Sequence, residues 1–205
     1  MILFPMFVKL EGRLVVVIGG GSVAQGKIHG ALSAGARVRL IAPSITPHIA
    51  EWVRCGKLDW LAKEFEAADL DGAFLVIAAT SAPGVNEAVF CEAEARGLLC
   101  NAVDDIEHCH FYYGAVVQRG DLQIAISTNG KSPALAQRLR KELELELGPE
   151  YEVWVEWLGA AREALRASRP SSESTKNLLH DLASRPMFQE FLRQAIRRPG
   201  HRGTA

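Results

Sequence analysis

The stretch "LVVVIGGGSVAQGK", Leu14 to Lys27, constrains this chain more than any other. Five consecutive apolar residues run into three glycines and then into a helical pattern. An apolar run of that kind, with no polar alternation, reads as a strand buried on both faces, as in parallel sheets. The helix pattern extends from about Ser22 to Ala34, and Gly35 stands where a C-terminal cap belongs. Between strand and helix lies Gly19-x-Gly21-x-x-Ala24, the G-x-G-x-x-G/A fingerprint in its strand–turn–helix context. The first glycine permits the tight turn. The second lets backbone amides approach a pyrophosphate, and the small third residue allows close helix–strand packing. The helix N-terminus adds unpaired amides and partial positive charge. The expected ligand is a dinucleotide; packing alone is the other reason for glycines in such a turn.

The same rhythm continues. "ARVRLIAP" reads as a second strand stopped by Pro43, "ITPHIAEWVRCG" as a helix ending at Gly56, and "KLDWLA" as a short strand. "GAFLVIAAT" is another apolar strand. "PGVNEAVFCEAEARG" is a helix with Pro near its start and Gly97 after its end, and "LLCNAV" closes the series. Alternation of apolar strands with helices predicts an α/β fold: a Rossmann-type parallel sheet with helices on both faces. After about residue 113 the pattern changes. "GAVVQRGDLQIAIST" predicts two strands joined at Arg119-Gly120-Asp121. "SPALAQRLRKELELEL" predicts a helix with Ser132 as N-cap and Pro133 at N1. The remainder reads as helical, with a breaker at "SRPSSESTKN" and a frayed "RRPGHRGTA". The expected domains are 1–113, a nucleotide-binding domain; 114–148, a small α+β region; and 149–205, a helical C-terminal domain.

Composition narrows the classes. The chain has 23 Lys+Arg against 24 Asp+Glu, so no nucleic-acid partner is expected. No apolar run is long enough to span a bilayer, so no membrane partner is expected. "MILFPMFVKLEG" is apolar but lacks a basic n-region and a cleavage site, and reads as a buried N-terminal segment. The four cysteines are irregularly spaced without a CxxC. In a chain of this size they suit reduced thiols, and hence a cytoplasmic location.

Three clusters carry chemistry. At the end of the second strand, Ala42-Pro43-Ser44 occupies the place where NAD binders often carry an acidic ribose ligand. Ser44 can hydrogen-bond a ribose. Arg37 and Arg39 lie within the strand and are not assigned to a 2′-phosphate, so NAD is expected over NADP. Next, "CNAVDDIEHCH" places Asp104 and Asp105 at the carboxyl edge of the sheet, where ligands sit. A carboxylate there can take a proton; an Asp-Asp pair equally caps a turn. His108, Cys109 and His110 lack a second ligand pair, so no metal site is expected. Third, Thr128, Asn129, Lys131 and Ser132 gather before a helix N-terminus, an arrangement that can bind anions. Arg138, Arg140 and Lys141 follow, and nearby Glu142, Glu144 and Glu146 can pair with them.

Together, "VVVIGGGSVAQGK", "VIAAT", "NAVDD" and "ISTNGKSPALAQRLRKELE" resemble the precorrin-2 dehydrogenase family, the NAD-binding and dimerisation part of siroheme synthases, over about residues 1 to 150. The resemblance implies a homodimer that oxidises the tetrapyrrole precorrin-2 to sirohydrochlorin with NAD+, with or without insertion of ferrous iron. It implies Asp104 as the catalytic residue. It implies cofactor contacts at Gly19, Gly21, Ser22, Val23, Pro43 and Ser44, with Thr80 and Asn101 lining the same crevice. Substrate contacts fall on Thr128, Lys131 and Ser132, and Lys131, Arg119 and Arg138 are candidate partners for substrate carboxylates. Gly26 replaces a usual arginine, "FYYG" replaces a usual Phe-x-Phe-Pro, and Thr128 replaces a serine. The tail beyond about Pro149 shows no match, and the trifunctional siroheme synthase, with its methyltransferase domain, is not expected. Asp105, on what reads as an extended segment, is expected to point away from Asp104. Two other readings remain open: a non-catalytic NAD-binding sensor, and a Rossmann oxidoreductase with a small carbonyl substrate. Against the latter, Tyr112 and Tyr113 are not followed by the lysine of a Tyr-x-x-x-Lys pair.

Overall fold

The computed structural model describes residues 2–168 and 173–197. It divides into two compact units, Phe4–Tyr113 and Gly114–Ala205, the latter taking in the first three residues.

The Phe4–Tyr113 unit is a five-stranded parallel sheet. β1 (Leu14–Ile18) lies at its centre, β2 (Arg37–Ile41) and β3 (Asp59–Leu61) on one side, β4 (Leu75–Ala78) and β5 (Leu99–Ala102) on the other, giving the order β3-β2-β1-β4-β5. The pairing is in register, Leu14 to Ile18 against Arg37 to Ile41 and Val15 to Ile18 against Leu75 to Ala78. Alternate residues of β1 feed two separate cores. Val15 and Val17 join Ile28 and Ala31 of helix α1 (Ser22–Ser33) and Ile49 and Trp52 of helix α2 (Pro47–Arg54). Val16 and Ile18 join Val89 and Ala93 of helix α3 (Pro83–Ala95), with Leu70 from a 3-10 turn at Ala67–Leu70. Both sheet faces are therefore covered, which is why the central strands lack a polar face.

Local signals explain the boundaries. Gly35 follows α1 at φ +76°, a left-handed cap that glycine adopts without penalty. Thr46 caps α2, its hydroxyl accepting from the Ile49 amide. The 3-10 turn was not anticipated. It is closed by a reciprocal box in which the buried Asp69 accepts from the Glu66 amide at 2.9 Å and pairs with Lys63 at 3.0 Å. These contacts leave no periodic trace in the sequence.

The N-terminal segment corrects an expectation. Residues 2–10 form no regular element, and Ile2, Phe4, Met6 and Phe7 are exposed rather than buried. Both faces of the sheet are already filled by helices, so the unit offers this apolar run nothing to bury against beyond Leu10.

In the second unit, β6 (Ala115–Arg119) and β7 (Leu122–Ile126) form an antiparallel hairpin, turning through Gly120 at φ +54°. Ala115 and Val117 are buried on one face, while Val116 is exposed on the other. Helix α4 (Pro133–Glu146) packs on the hairpin and helix α5 (Glu150–Ser168) reaches β7. The hairpin and the tail helices, α5, α6 (Glu173–Leu182) and α7 (Arg185–Arg197), thus fall in one unit. Tyr151 and Trp154 of α5 pack at a tilt against Phe188 of α7, with ring centroids 4.5 and 4.6 Å apart. Helix α6 begins inside the sequence breaker. Residues 169–172 of that breaker, and 198–205 of the frayed terminus, lie outside the described residues. Arg119 is committed to structure: its guanidinium donates to the Leu147 and Glu144 carbonyls at 2.7 and 2.9 Å, satisfying the C-terminal end of α4.

Arg119→Met removes those donors and leaves the carbonyls to solvent. It should lower unfolding free energy by about 1–2 kcal/mol in denaturant titration; an unchanged midpoint would show that α4 does not need the cap.

Candidate functional site

The fingerprint glycines do different jobs. A Cβ on Gly19 would lie 2.3 Å from the Ala79 carbonyl oxygen, and one on Gly20 would lie 2.0 Å from that of Ser44. Both positions are closed by the protein's own backbone as it leaves β4 and β2. A Cβ on Gly21 would meet nothing within 4 Å. Internal packing therefore explains Gly19 and Gly20 but not Gly21. Gly21 is also the N-cap of α1, and no side chain caps that end. The first amides of the helix, with the dipole behind them, face an open space free of a Cβ, which is the cradle a pyrophosphate requires. Ser22 is exposed and Val23 is 47% exposed beside this end. The chain fits a dinucleotide here.

The loop after β2 is tied against the glycines. The Thr46 amide donates to the Gly20 carbonyl at 3.0 Å, and the Thr46 hydroxyl donates to Gln25 Oε1 at 2.8 Å. Pro43 and Ser44 are exposed in the same loop. Across β1, Thr80 follows β4. Its hydroxyl donates to Asn86 Oδ1 at 2.9 Å, and Asn86 Nδ2 donates to the Thr80 carbonyl at 3.1 Å. Asn86 is buried and clamps this turn. Nothing in "PGVNEAVF" singled it out, because its partner is six residues back in a loop.

Beyond β5 the chain does not stay extended. Residues 102–105 form a β-turn in which the Asp105 amide donates to the Ala102 carbonyl at 3.3 Å, and Asp104 takes φ +62° at its third position. The segment expected to be extended through Asp104 and Asp105 is instead a turn, because β5 ends at Ala102. The chain then folds back along β5. Asn101 Nδ2 donates to the Phe111 carbonyl at 2.8 Å, and Asn101 bridges Cys109. Asn101 is buried and its amide is occupied by this returning segment.

Asp104 is exposed at the tip of the turn. Lys27 of α1 is half-buried near it, with Nζ 3.4 Å from the centroid of the Tyr113 ring. Burial pulls the Lys27 ammonium below its ordinary value, while Asp104 and Cys109 pull it back up. Asp105 turns instead to His108, whose Nδ1 lies 2.6 Å from its carboxylate. That contact raises the pKa of His108 and lowers that of Asp105. The Cys109 thiol donates to the Ala102 and Asp105 carbonyls at 3.0 and 3.1 Å, bracing the same turn. Burial raises Cys109, and pushes the neighbouring Cys100 up to about 12, so both are neutral thiols. His110 Nδ1 accepts from the Cys100 amide. Among the described residues no group of three or more His, Cys, Asp and Glu could hold a metal.

In the second unit, Thr128 and Lys131 close a turn through Asn129 at φ +56° and Gly130 at φ +77°. Both central residues are left-handed, as in a type I′ turn, which Asn-Gly favours. The Thr128 hydroxyl accepts from the Ser132 amide, and the Ser132 hydroxyl accepts from Leu135 at the start of α4. Both hydroxyls therefore serve the helix cap. Lys131 is exposed. Arg138 pairs with Glu142 at 3.3 Å.

Gly19→Ala and Gly21→Ala should separate folding from binding. Gly19→Ala meets backbone at a positive φ and should destabilise by roughly 3 kcal/mol in chemical denaturation. Gly21→Ala should leave the denaturation midpoint in place while weakening NAD+ by about tenfold or more, about 1.4 kcal/mol, in fluorescence titration. Equal binding by Gly21→Ala would remove the cradle.

Comparison with known proteins accords with this geometry. A family model described as NAD(P)-binding matches residues 6–115, and one for the central part of sirohaem biosynthesis protein matches residues 119–145. "Siroheme synthase 1" of Serratia proteamaculans is 40% identical over 167 residues, covering 80% of this chain and 35% of its own length. "Siroheme synthase" of Neisseria meningitidis serogroup B is 40% identical over 168 residues, with 82% and 35% covered. The chain thus spans about a third of the length of these relatives. Among solved structures, "SirC, precorrin-2 dehydrogenase" superposes with a TM-score of 0.77 at 28% identity, covering 96% of this chain and 100% of that one. With its first unit matched through the glycine cradle and across all five parallel strands, the chain belongs to the NAD(P)-binding family.

Proposed function

We propose that this protein is a precorrin-2 dehydrogenase, oxidising precorrin-2 to sirohydrochlorin with NAD+ in siroheme biosynthesis. The observation that carries the reading is the pairing, in one unit, of the open Gly21 cradle with an exposed carboxylate held at φ +62° just past the end of β5. The match to a precorrin-2 dehydrogenase over its whole length supports it.

NAD+ supplies the hydride acceptor. The chain's own residues do the rest. The α1 amides and the loop at Pro43 and Ser44 hold the dinucleotide. Oxidation of the tetrapyrrole removes a hydride and a proton, and the Asp104 carboxylate accepts the proton and passes it to solvent. The neutral Cys100 and Cys109 thiols take no nucleophilic part. Insertion of ferrous iron by the same protein is part of the proposal only as a second step on the product. The four free cysteines suit the reducing cytoplasm.

The protein is further proposed to act as a homodimer through the hairpin region. Among the described residues the β6–β7 sheet has two strands, so each keeps an outer edge that no third strand pairs, and Val116 is exposed on one face. The exposed apolar N-terminal residues add surface that a second copy could cover.

Asp104→Asn keeps nearly the shape of the carboxylate, and asparagine tolerates the left-handed backbone. It should abolish turnover, a loss on the order of 10²–10⁴-fold, while NAD+ affinity by fluorescence stays within about twofold of wild type. Retained turnover would remove the catalytic assignment. Light scattering at micromolar protein should give about twice the chain mass; a clean monomer would refute the dimer.

A further inference from the structure

Asp104 is held in a left-handed turn whose sequence, Ala102-Val103-Asp104-Asp105, offers no glycine at the position that needs one. The backbone hydrogen bond closing it, at 3.3 Å, is long. The turn must therefore be held by what lies around it. Asp105, its last residue, carries the shortest of the contacts that do so, the 2.6 Å link to His108 Nδ1. His108 is in turn fixed: its carbonyl accepts from the Ala102 amide at 3.1 Å, and its ring lies edge-on to Phe90 of α3 at 5.1 Å. The pair thus ties the two ends of the turn, residues 102 and 105, to one anchored residue.

We infer that the Asp105–His108 ion pair is the positioning device for Asp104, keeping closed the turn that presents its carboxylate. The inference rests on Asp104 being the proton acceptor proposed above. The charged groups around the imidazole are Asp105 and Glu107 on its own loop and Glu87 on α3, all acidic and all favouring the imidazolium. His108 is raised above its ordinary 6.5, so the full ion pair is present below that value and is lost as pH rises through the folded one. Asp105 is lowered below its ordinary 3.8, so the carboxylate side persists until far more acidic pH. The sensitive window is therefore the one above the ordinary imidazole value. A neutral imidazole can still donate its Nδ1–H, so the turn loosens there rather than opening.

The test follows the intact chain by NMR and by kinetics from about pH 5.5 to 9.5. The expected result is that the Asp104 amide resonance shifts with the same midpoint as the His108 ring. Wild-type kcat should fall on the alkaline side at that midpoint, with KM for NAD+ unchanged. His108→Gln, a donor without charge, should lower kcat on the order of tenfold and erase the alkaline step. His108→Lys, charged throughout the range, should keep the pair intact across it and leave no step within it. An Asp104 amide that ignores the His108 titration overturns the inference, as does a His108→Gln profile superimposable on wild type. If wild-type protein oxidises no precorrin-2, the functional reading falls, and the NMR titration alone still decides whether the pair holds the turn.

Discussion

Everything at the carboxyl edge of the sheet depends on how closely three backbones meet at the end of β1. The chain leaving β4 brings the Ala79 carbonyl against Gly19, and the chain leaving β2 brings the Ser44 carbonyl against Gly20. Neither position has room for a Cβ. The strand can therefore pass into α1 only through residues that carry no side chain, and α1 begins at Gly21 without a side-chain cap. The unpaired amides that result are a cost to an isolated helix and an asset to an anion site. Packing of the central strands, not the ligand, dictates the first two glycines. Packing leaves the third, Gly21, unexplained, and there a Cβ would meet nothing within 4 Å.

This division explains how far the sequence could be read. The parallel strands and the helices between them announced themselves, because burial on both faces leaves unbroken apolar runs such as Leu14–Ile18 and Leu75–Ala78. Caps at Thr46, Ser132 and Gly35 followed from local chemistry. The 3-10 turn at Ala67–Leu70 and the return of residues 103–113 along β5 did not. Both are held by contacts between polar groups, such as Asp69 with Lys63 and Asn101 with Phe111, that impose no period on the chain. The N-terminal segment misled for the opposite reason: its apolar residues are real, but apolar content alone does not supply a surface to bury against.

The site residues divide along the same line. Gly21, Ser22, Val23, Pro43 and Ser44 lie where strand–turn–helix logic puts them, because that logic concerns backbone. Lys27 and Asn86 drew no notice in the sequence, and Cys109, Asp105 and His108 were noted there without the contacts that join them. Each acts through a partner whose nearness is created only by the returning loop or by the register of α1 and α3 on the sheet. Arg119 shows the converse. A cation near a proposed anion loop was open to a binding role, and the fold gives it to the end of α4.

Among the described residues, two that are not glycine take a left-handed backbone, Asp104 and Asn129. Turn chemistry accounts for Asn129, which precedes Gly130 in a tight turn that favours Asn-Gly. At Asp104 glycine would cost the backbone less and would fit the same turn, though aspartate is among the few residues that tolerate this region. A sequence that keeps a side chain at such a position accepts strain to keep that side chain, and strain of this kind concentrates where function needs a group held in one direction. The surroundings are arranged to the same end. The Cys109 thiol braces two carbonyls of the turn, and His108 binds its last residue. The Lys27 ammonium, resting on the Tyr113 ring, interacts electrostatically with the carboxylate at its tip. Each of these contacts acts on the conformation or the charge of Asp104, and together they hold in place a turn that its own backbone closes only weakly.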